Sequence, residues 1–129
     1  MIIAVDPGTK KCGVAILDNS SNVLEKAIVE TLFIGREIEG YLDKYHIKTI
    51  VIGKGTSSKA CEKEIQRIKN KCSIVFANEK NTSLEARKRY WADHPRSWLL
   101  KFIPTSLLAP KEPIDDYAAV ILGERYLKG

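Results

Sequence analysis

Residues 1–17 read MIIAVDPGTKKCGVAIL, two apolar runs separated by a polar segment that contains one carboxylate and two glycines. The runs at 1–5 and 14–17 are short and rich in β-branched residues, which is typical of buried strands. Asp6 is therefore predicted at the tip of the first strand, where the chain turns back on glycines. A carboxylate in such a turn can hold a metal ion, and the turn itself can hold a phosphate.

The remaining sequence alternates between strand-like and helix-like segments. A polar stretch at 18–22 predicts a hairpin turn, and apolar residues at spacings of three and four predict amphipathic helices. The predicted strands are 1–6, 12–18, 23–31, 49–53 and 73–77, and the predicted helices are 34–46, 59–71 (capped by Ser57 or Ser58), 82–92 (capped by Thr82 or Ser83) and 114–127. This order predicts an α/β fold whose mixed sheet has three antiparallel strands continued by two parallel ones, with helices on the faces.

Composition narrows the function classes. The chain has 129 residues, of which 44% are hydrophobic, so we expect one globular domain over residues 1–129. Its 21 basic and 16 acidic residues give a net charge of +5, which favours an anionic partner without identifying it. Three cysteines without a C-x-x-C pair, and two histidines, argue against a disulfide framework and a zinc site. With no leader-like or membrane-spanning segment, we expect a reduced, cytoplasmic protein that does not enter a membrane.

The acidic residues that follow predicted strands suggest a metal site. Asp6 ends the first strand, Glu79 follows the last one, and Asp115 and Asp116 open the closing helix. Parallel sheets concentrate functional groups beyond the carboxyl ends of their strands, so Asp6 and Glu79 are predicted at one edge, where a docked helix can add Asp115. Carboxylates without histidine or thiolate suit Mg²⁺ or Mn²⁺. Two such ions can activate water and stabilise the leaving oxygen in phosphodiester cleavage.

Three sequence blocks resemble, in order, the signature blocks of the RuvC-like and YqgF-type nucleases of the ribonuclease H fold. They are IAVDPGT (3–9), NEKNTSLEA (78–86) and IDDYAAVIL (114–122). The resemblance implies a ribonuclease H-like fold with helices on both faces of the sheet, and a metal-dependent endonuclease with one or two Mg²⁺ or Mn²⁺ ions. By this match Asp6, Glu79 and Asp115 are the catalytic metal ligands, and Asp116 is an additional candidate.

The resemblance also implies the substrate, which is structured nucleic acid: branched DNA of the Holliday junction type or a ribosomal RNA precursor. The first block resembles that of the junction resolvases and the third resembles that of the YqgF type, so both substrates stay open. A junction resolvase that cuts two strands symmetrically is expected to be a two-fold homodimer. The segment 94–113, which contains WLLKFIP (98–104), is longer than the YqgF type requires and could be a dimer contact, a lid or core.

Basic residues near the predicted acidic centre are candidates for binding the nucleic-acid backbone. They are Lys10, Lys11, Lys54, Lys80, Arg87 and Lys88. For Lys10, Lys11, Lys54 and Lys80, each taken alone, an ordinary solvated side chain is the favoured alternative. Trp91, beside the basic run, is expected in the core. Asp6 could be a turn former and Asp115 a helix cap.

Two other functions fit parts of the pattern. Residues 6–11 (DPGTKK) are similar to the phosphate-binding hairpin of sugar kinases and actin-like ATPases, but those proteins bind nucleotide between two such domains. The chain also lacks a glycine loop of the Walker type. The other alternative is a nucleic-acid-binding module that retains the fold without turnover.

Overall fold

The N-terminal third forms an antiparallel meander. The structure, a computed structural model, describes residues 1–55, 59–68, 72–78, 82–94 and 113–129. The strands are β1 (Ile2–Asp6), β2 (Lys11–Leu17) and β3 (Val23–Glu30). In the β2–β3 turn, Oδ1 of Asp18 accepts hydrogen bonds from the backbone N–H groups of Ser20 and Asn22, both at 2.9 Å. These bonds explain why the polar stretch makes a tight turn.

Two parallel strands continue the sheet beyond β1. They are β4 (Thr49–Lys54) and β5 (Ser73–Asn78), and the spatial order is β3-β2-β1-β4-β5. β1 pairs antiparallel with β2 and parallel with β4, so it lies at the centre of the sheet. The prediction of three antiparallel strands followed by two parallel ones is confirmed. Because β1, β4 and β5 run in the same direction, their carboxyl ends share one edge.

Helices cover both faces of the sheet, as predicted. A 3-10 helix (Thr31–Phe33) leads into α1 (Ile34–Lys44), and the later helices are α2 (Lys59–Gln66), α3 (Thr82–Asp93) and α4 (Asp115–Lys128). α1 and α2 pack on the face that carries Ile3 and Val5. α4 packs on the opposite face, against Ala4, and α3 packs against α4. Each isoleucine or leucine fully buried in these two layers contributes about 1.5–3 kcal/mol of transfer free energy.

The helix ends differ from the sequence prediction. α1 ends at Lys44 rather than at residue 46, because Tyr45 has an extended backbone with φ −124° and ψ 153°. α2 ends at Gln66 rather than at residue 71. The caps predicted at Ser57 or Ser58, and residues 95–112 of the long segment, lie outside the described residues. Within the described part of the chain, no helix is long and apolar enough to cross a membrane.

Candidate active site

The tip of β1 and the start of α4 meet at Gly13. In the antiparallel register Asp6 lies directly opposite Gly13, and directly opposed residues project from the same face of the sheet. A Cβ atom built on Gly13 would lie 1.7 Å from the backbone oxygen of Asp115 and 2.8 Å from the nitrogen of Asp116. The backbone of Asp115 therefore rests directly on the residue beside Asp6. The structure brings these two predicted site residues to one place.

Strand alternation places Asp6 on the face that α4 covers. Side chains two residues apart along a strand lie on the same face, and Ala4 packs against α4. Both Asp6 and Asp115 are half-buried. Two half-buried carboxylates at a strand edge are a donor set that fits a hard divalent cation such as Mg²⁺.

The surroundings of Asp115 disfavour the ionised form of its carboxylate. Burial raises its pKa, the neighbouring charge of Asp116 raises it further, and the positive charge of Lys11 opposes the shift. A bound cation would favour the ionised form of such a group. Lys11 itself is exposed at the start of β2.

Asp116 forms an ion pair with Lys26. Its Oδ2 accepts a hydrogen bond from Nζ of Lys26 on β3 at 2.9 Å, and its Oδ1 accepts the backbone N–H of Tyr117 at 3.0 Å. The Lys26 ammonium also lies 4.3 Å from the centre of the Tyr117 ring. These contacts fasten the start of α4 to β3. A ligand role for Asp116 stays a prediction.

The loop after Asp6 is held by Thr31, which the sequence analysis did not identify. The buried Thr31 hydroxyl donates to the carbonyl oxygen of Gly8 at 2.8 Å, and the Thr31 N–H donates to the carbonyl oxygen of Lys10 at 2.9 Å. A Cβ on Gly8 would lie 2.1 Å from the backbone oxygen of Lys11, so this tight turn requires glycine. In the sequence, Thr31 is marked only by its position at the end of the predicted third strand, 23–31.

Comparison with known proteins places the chain in a family. Residues 1–129 match a family model described as RuvX: Holliday junction resolvase. The chain belongs to the RuvX family. A relative from Helicobacter pylori (strain J99 / ATCC 700824), named "Putative pre-16S rRNA nuclease", is 36% identical over 93 residues, which are 67% of this chain and 69% of the relative. A protein of the same name from strain G27 is 34% identical with the same coverage.

Solved structures of resolvases share the fold of this RuvX-family chain. Thermus thermophilus RuvC in complex with a Holliday junction substrate aligns with a TM-score of 0.61 and 10% identity, over 94% of this chain and 88% of RuvC. Fowlpox virus resolvase in complex with Holliday junction DNA aligns with a TM-score of 0.60 and 18% identity, over 99% of both chains. The predicted ribonuclease H-like fold is thereby confirmed.

Three of the predicted phosphate-binding lysines of this RuvX-family chain lie around the same edge. Lys10 and Lys11 are exposed beside the Asp6 loop, and Lys54 is exposed at the carboxyl end of β4, next to β1. On α3, Lys88 is exposed and Arg87 is half-buried. Nucleic-acid binding by these side chains stays a prediction.

The third predicted acidic ligand, Glu79, lies outside the described residues, and so does Lys80. The structure describes β5 up to Asn78, which pairs with Lys54 at the same edge of the sheet as the tip of β1. Among the described residues, which exclude Glu79, no three Asp, Glu, His or Cys side chains are grouped closely enough to hold a metal ion. A three-carboxylate centre therefore stays a prediction.

One side of α3 packs against α4. Arg89 makes two hydrogen bonds to the Glu124 carboxylate, at 2.9 and 3.0 Å. The buried Tyr90 ring packs edge-on against Trp91 and against Tyr117 of α4. Trp91 is half-buried in this cluster, which agrees with its expected place in the core.

Proposed function

We propose that this chain is a divalent-metal-dependent endonuclease that hydrolyses phosphodiester bonds in structured nucleic acid in the cytoplasm. The observation that supports the proposal best is the contact of Gly13 with the start of α4, which brings Asp115 to the tip of β1 beside Asp6. The family of the chain and the direction of β5, which leads towards Glu79, support the same assignment.

In this proposal Asp6, Glu79 and Asp115 hold one or two Mg²⁺ or Mn²⁺ ions. When bound, the ions supply a nucleophilic water and neutralise charge on the phosphate. Asp6 is fixed by the central strand, and Asp115 is fixed by the backbone contact with Gly13. Such fixed placement of charged ligands is what hydrolysis of a phosphodiester requires, because it holds the reacting groups in line.

The basic residues then hold the substrate. Lys10, Lys11 and Lys54 border the acidic pair, and their ammonium groups would contact phosphates on either side of the bond that is cut. Lys80, Arg87 and Lys88 extend the basic surface in the proposal. This charge offsets the repulsion between the nucleic-acid backbone and the carboxylates.

Two substrates follow from the similar proteins. The curated relatives are named for pre-16S rRNA, whereas RuvC and the poxvirus resolvase are bound to Holliday junction DNA. We therefore propose branched DNA or a structured ribosomal RNA precursor as substrate. Symmetric cutting of a junction would require a homodimer, so the solution mass and the preferred substrate should be measured together.

The decisive experiment compares the wild type with Asp6→Asn and Asp115→Asn in the presence of Mg²⁺ or Mn²⁺. Both variants should lose cleavage of a four-way DNA junction or precursor RNA and keep their fold, because an anionic ligand is replaced by a neutral side chain of the same size. Asp43→Asn, an exposed residue of α1, is the matched control and should cut normally. Unchanged cutting by Asp6→Asn would refute the assignment.

Binding and melting measurements on the same proteins separate the two alternative functions. A nucleic-acid-binding module would bind the junction or the RNA at every metal concentration without cutting it. An actin-like nucleotide-binding protein would respond to ATP instead, for example by a shift in melting temperature that nucleic acid does not cause.

A further inference from the structure

Two cysteines that are far apart in the sequence meet in the core. Cys12 on β2 and Cys61 on α2 are fully buried, and their sulfur atoms lie 3.5 Å apart. Both are free thiols, as is the half-buried Cys72. A disulfide was not expected from the sequence, which has no C-x-x-C pair, and a contact between residues 49 positions apart leaves no such signal. At this separation only a small movement is needed to reach the S–S bond length of about 2.05 Å.

The two thiols are chemically different. The contact with the Cys61 sulfur lowers the pKa of the Cys12 thiol, although burial opposes the shift. The same contact, together with burial, raises the pKa of the Cys61 thiol. Cys12 is therefore the better nucleophile of the pair.

The pair is also connected to the loop after Asp6. Sγ of Cys12 lies 3.3 Å from Oγ1 of Thr31, and that hydroxyl donates to the carbonyl oxygen of Gly8. The chain of contacts runs from Cys61 through Cys12 and Thr31 to the turn beside Asp6. A movement of the Cys12 sulfur thus disturbs the side chain that holds this turn.

We propose that Cys12 and Cys61 are a redox-sensitive pair that closes into an intramolecular disulfide when the protein meets a low-molecular-weight disulfide. The Cys12 thiolate attacks one sulfur of the oxidant and releases one thiol. The Cys61 sulfur then attacks Cys12 in the mixed disulfide, gives up its proton and releases the second thiol. The two cysteines are oxidised, and the small disulfide is reduced to two thiols.

The oxidant reaches the pair through local opening of α2. This helix has eight residues and buries only Cys61 and Ile65. So short a helix with so little buried surface opens at a lower free energy than the central strands. β2, which carries Cys12, is paired on both sides and stays in place.

The functional consequence rests on the proposed nuclease activity. Closing the bond draws the Cys12 sulfur towards α2 and away from Thr31, which loosens the Thr31–Gly8 hydrogen bond. Because displacement of a catalytic group by about 1 Å can slow a reaction about 100-fold, oxidation is expected to lower cleavage reversibly.

The chemical test needs no activity. The full-length protein is equilibrated in buffers of oxidised and reduced glutathione, denatured in guanidinium chloride with excess iodoacetamide at mildly alkaline pH, and mapped by mass spectrometry. We expect a peptide pair linked through Cys12 and Cys61, with Cys72 alkylated. Cys72→Ala should behave like the wild type, and Cys61→Ala should leave Cys12 without an intramolecular partner. Failure to find the Cys12–Cys61 link in the wild type at any glutathione ratio would overturn the proposal, whether or not the variants fold.

The functional test measures cleavage by the same samples before oxidation, after oxidation and after reduction with dithiothreitol. We expect a reversible loss of about tenfold or more in the wild type and in Cys72→Ala. A protein that is linked but cuts at full rate would overturn the coupling to the Asp6 loop. A reduced protein that never cuts would count against the proposed function, while the peptide map would still decide the disulfide.

Discussion

Replacement of Gly13 by alanine tests the geometry on which the candidate site depends. The new Cβ would lie 1.7 Å from the backbone oxygen of Asp115 and 2.2 Å from its carbonyl carbon, whereas ordinary contacts are 3.4–4 Å. The obstructing atoms are backbone, so no side chain can rotate away. The start of α4 must therefore move off the sheet and carry Asp115 with it.

This clash determines how Gly13→Ala changes the stability of the protein and the rate of cleavage. Overpacking of this kind costs about 1–3 kcal/mol, and displacement of a catalytic group by about 1 Å can slow cleavage about 100-fold. Without the clash, alanine would be favoured over glycine in a strand by about 0.5–1 kcal/mol. The clash thus reverses the sign expected for an ordinary strand glycine.

The assay is urea unfolding in EDTA, which reports the free energy of unfolding of the metal-free protein, together with single-turnover cleavage in Mg²⁺. Gly40→Ala is the matched control, because nothing lies within 4 Å of a Cβ at that position. It lies in α1 and should stabilise the protein by roughly 0.5–1 kcal/mol without changing cleavage. A Gly13→Ala protein that is more stable than the wild type and cuts at the same rate would refute the reasoning.

Three further predictions address the surroundings of the site. Thr31→Val should lower the free energy of unfolding by about 1–3 kcal/mol and slow cleavage, because the Gly8 carbonyl loses its hydrogen-bond donor. The control is Thr49→Val, at the other end of the sheet. Equal effects of the two substitutions would contradict the role of Thr31. Asp115→Asn should raise the melting temperature in EDTA at neutral pH while cleavage is lost, since burial raises the pKa of this carboxyl and the ionised form is disfavoured in the fold. For the same reason, the contribution of Asp115 to stability should be largest below its unfolded pKa and should be lost as the pH rises through its folded pKa. A wild type that is more stable than Asp115→Asn at neutral pH in EDTA would contradict this prediction. Arg89→Met should cost no more than about 1 kcal/mol in urea unfolding, because the ion pair with Glu124 is partly exposed, and a larger loss would show that it organises the contact between α3 and α4.

The sequence was sufficient for the strands and for their antiparallel or parallel directions, because the strands follow local apolar patterns and the directions follow from the connections between them. The apolar runs that include Ile3 and Ile50 form the buried strands β1 and β4. A helix precedes β4, and a connection of this kind predicts that β4 runs parallel to β1, as the structure shows. Helix ends were less predictable. Nothing in the charged pattern after Gln66 shows that α2 stops there, and the extended backbone of Tyr45 is likewise not visible in the spacing of apolar residues.

The contacts that shape the site were beyond sequence reasoning because each joins distant residues. The approach of the Asp115 backbone to Gly13 spans most of the chain, and the Lys26–Asp116 ion pair joins residues 90 positions apart. A strand glycine can equally mark a bulge or a kink, so its meaning is decided only by the helix that packs on it. The meeting of Cys12 and Cys61 likewise depends on how α2 lies on the sheet.

The loop after Asp6 is supported from both faces of the sheet. On one face, Gly13 admits the start of α4 and sets the position of Asp115. On the other, Cys12 contacts Thr31, whose hydroxyl holds Gly8. Burial and the neighbouring charge of Asp116 disfavour the ionised carboxylate of Asp115, so the surrounding packing must hold this residue in place against that cost. The small residues Gly8 and Gly13 allow this packing to be close, and the placement of the acidic pair therefore depends on residues that carry no charge.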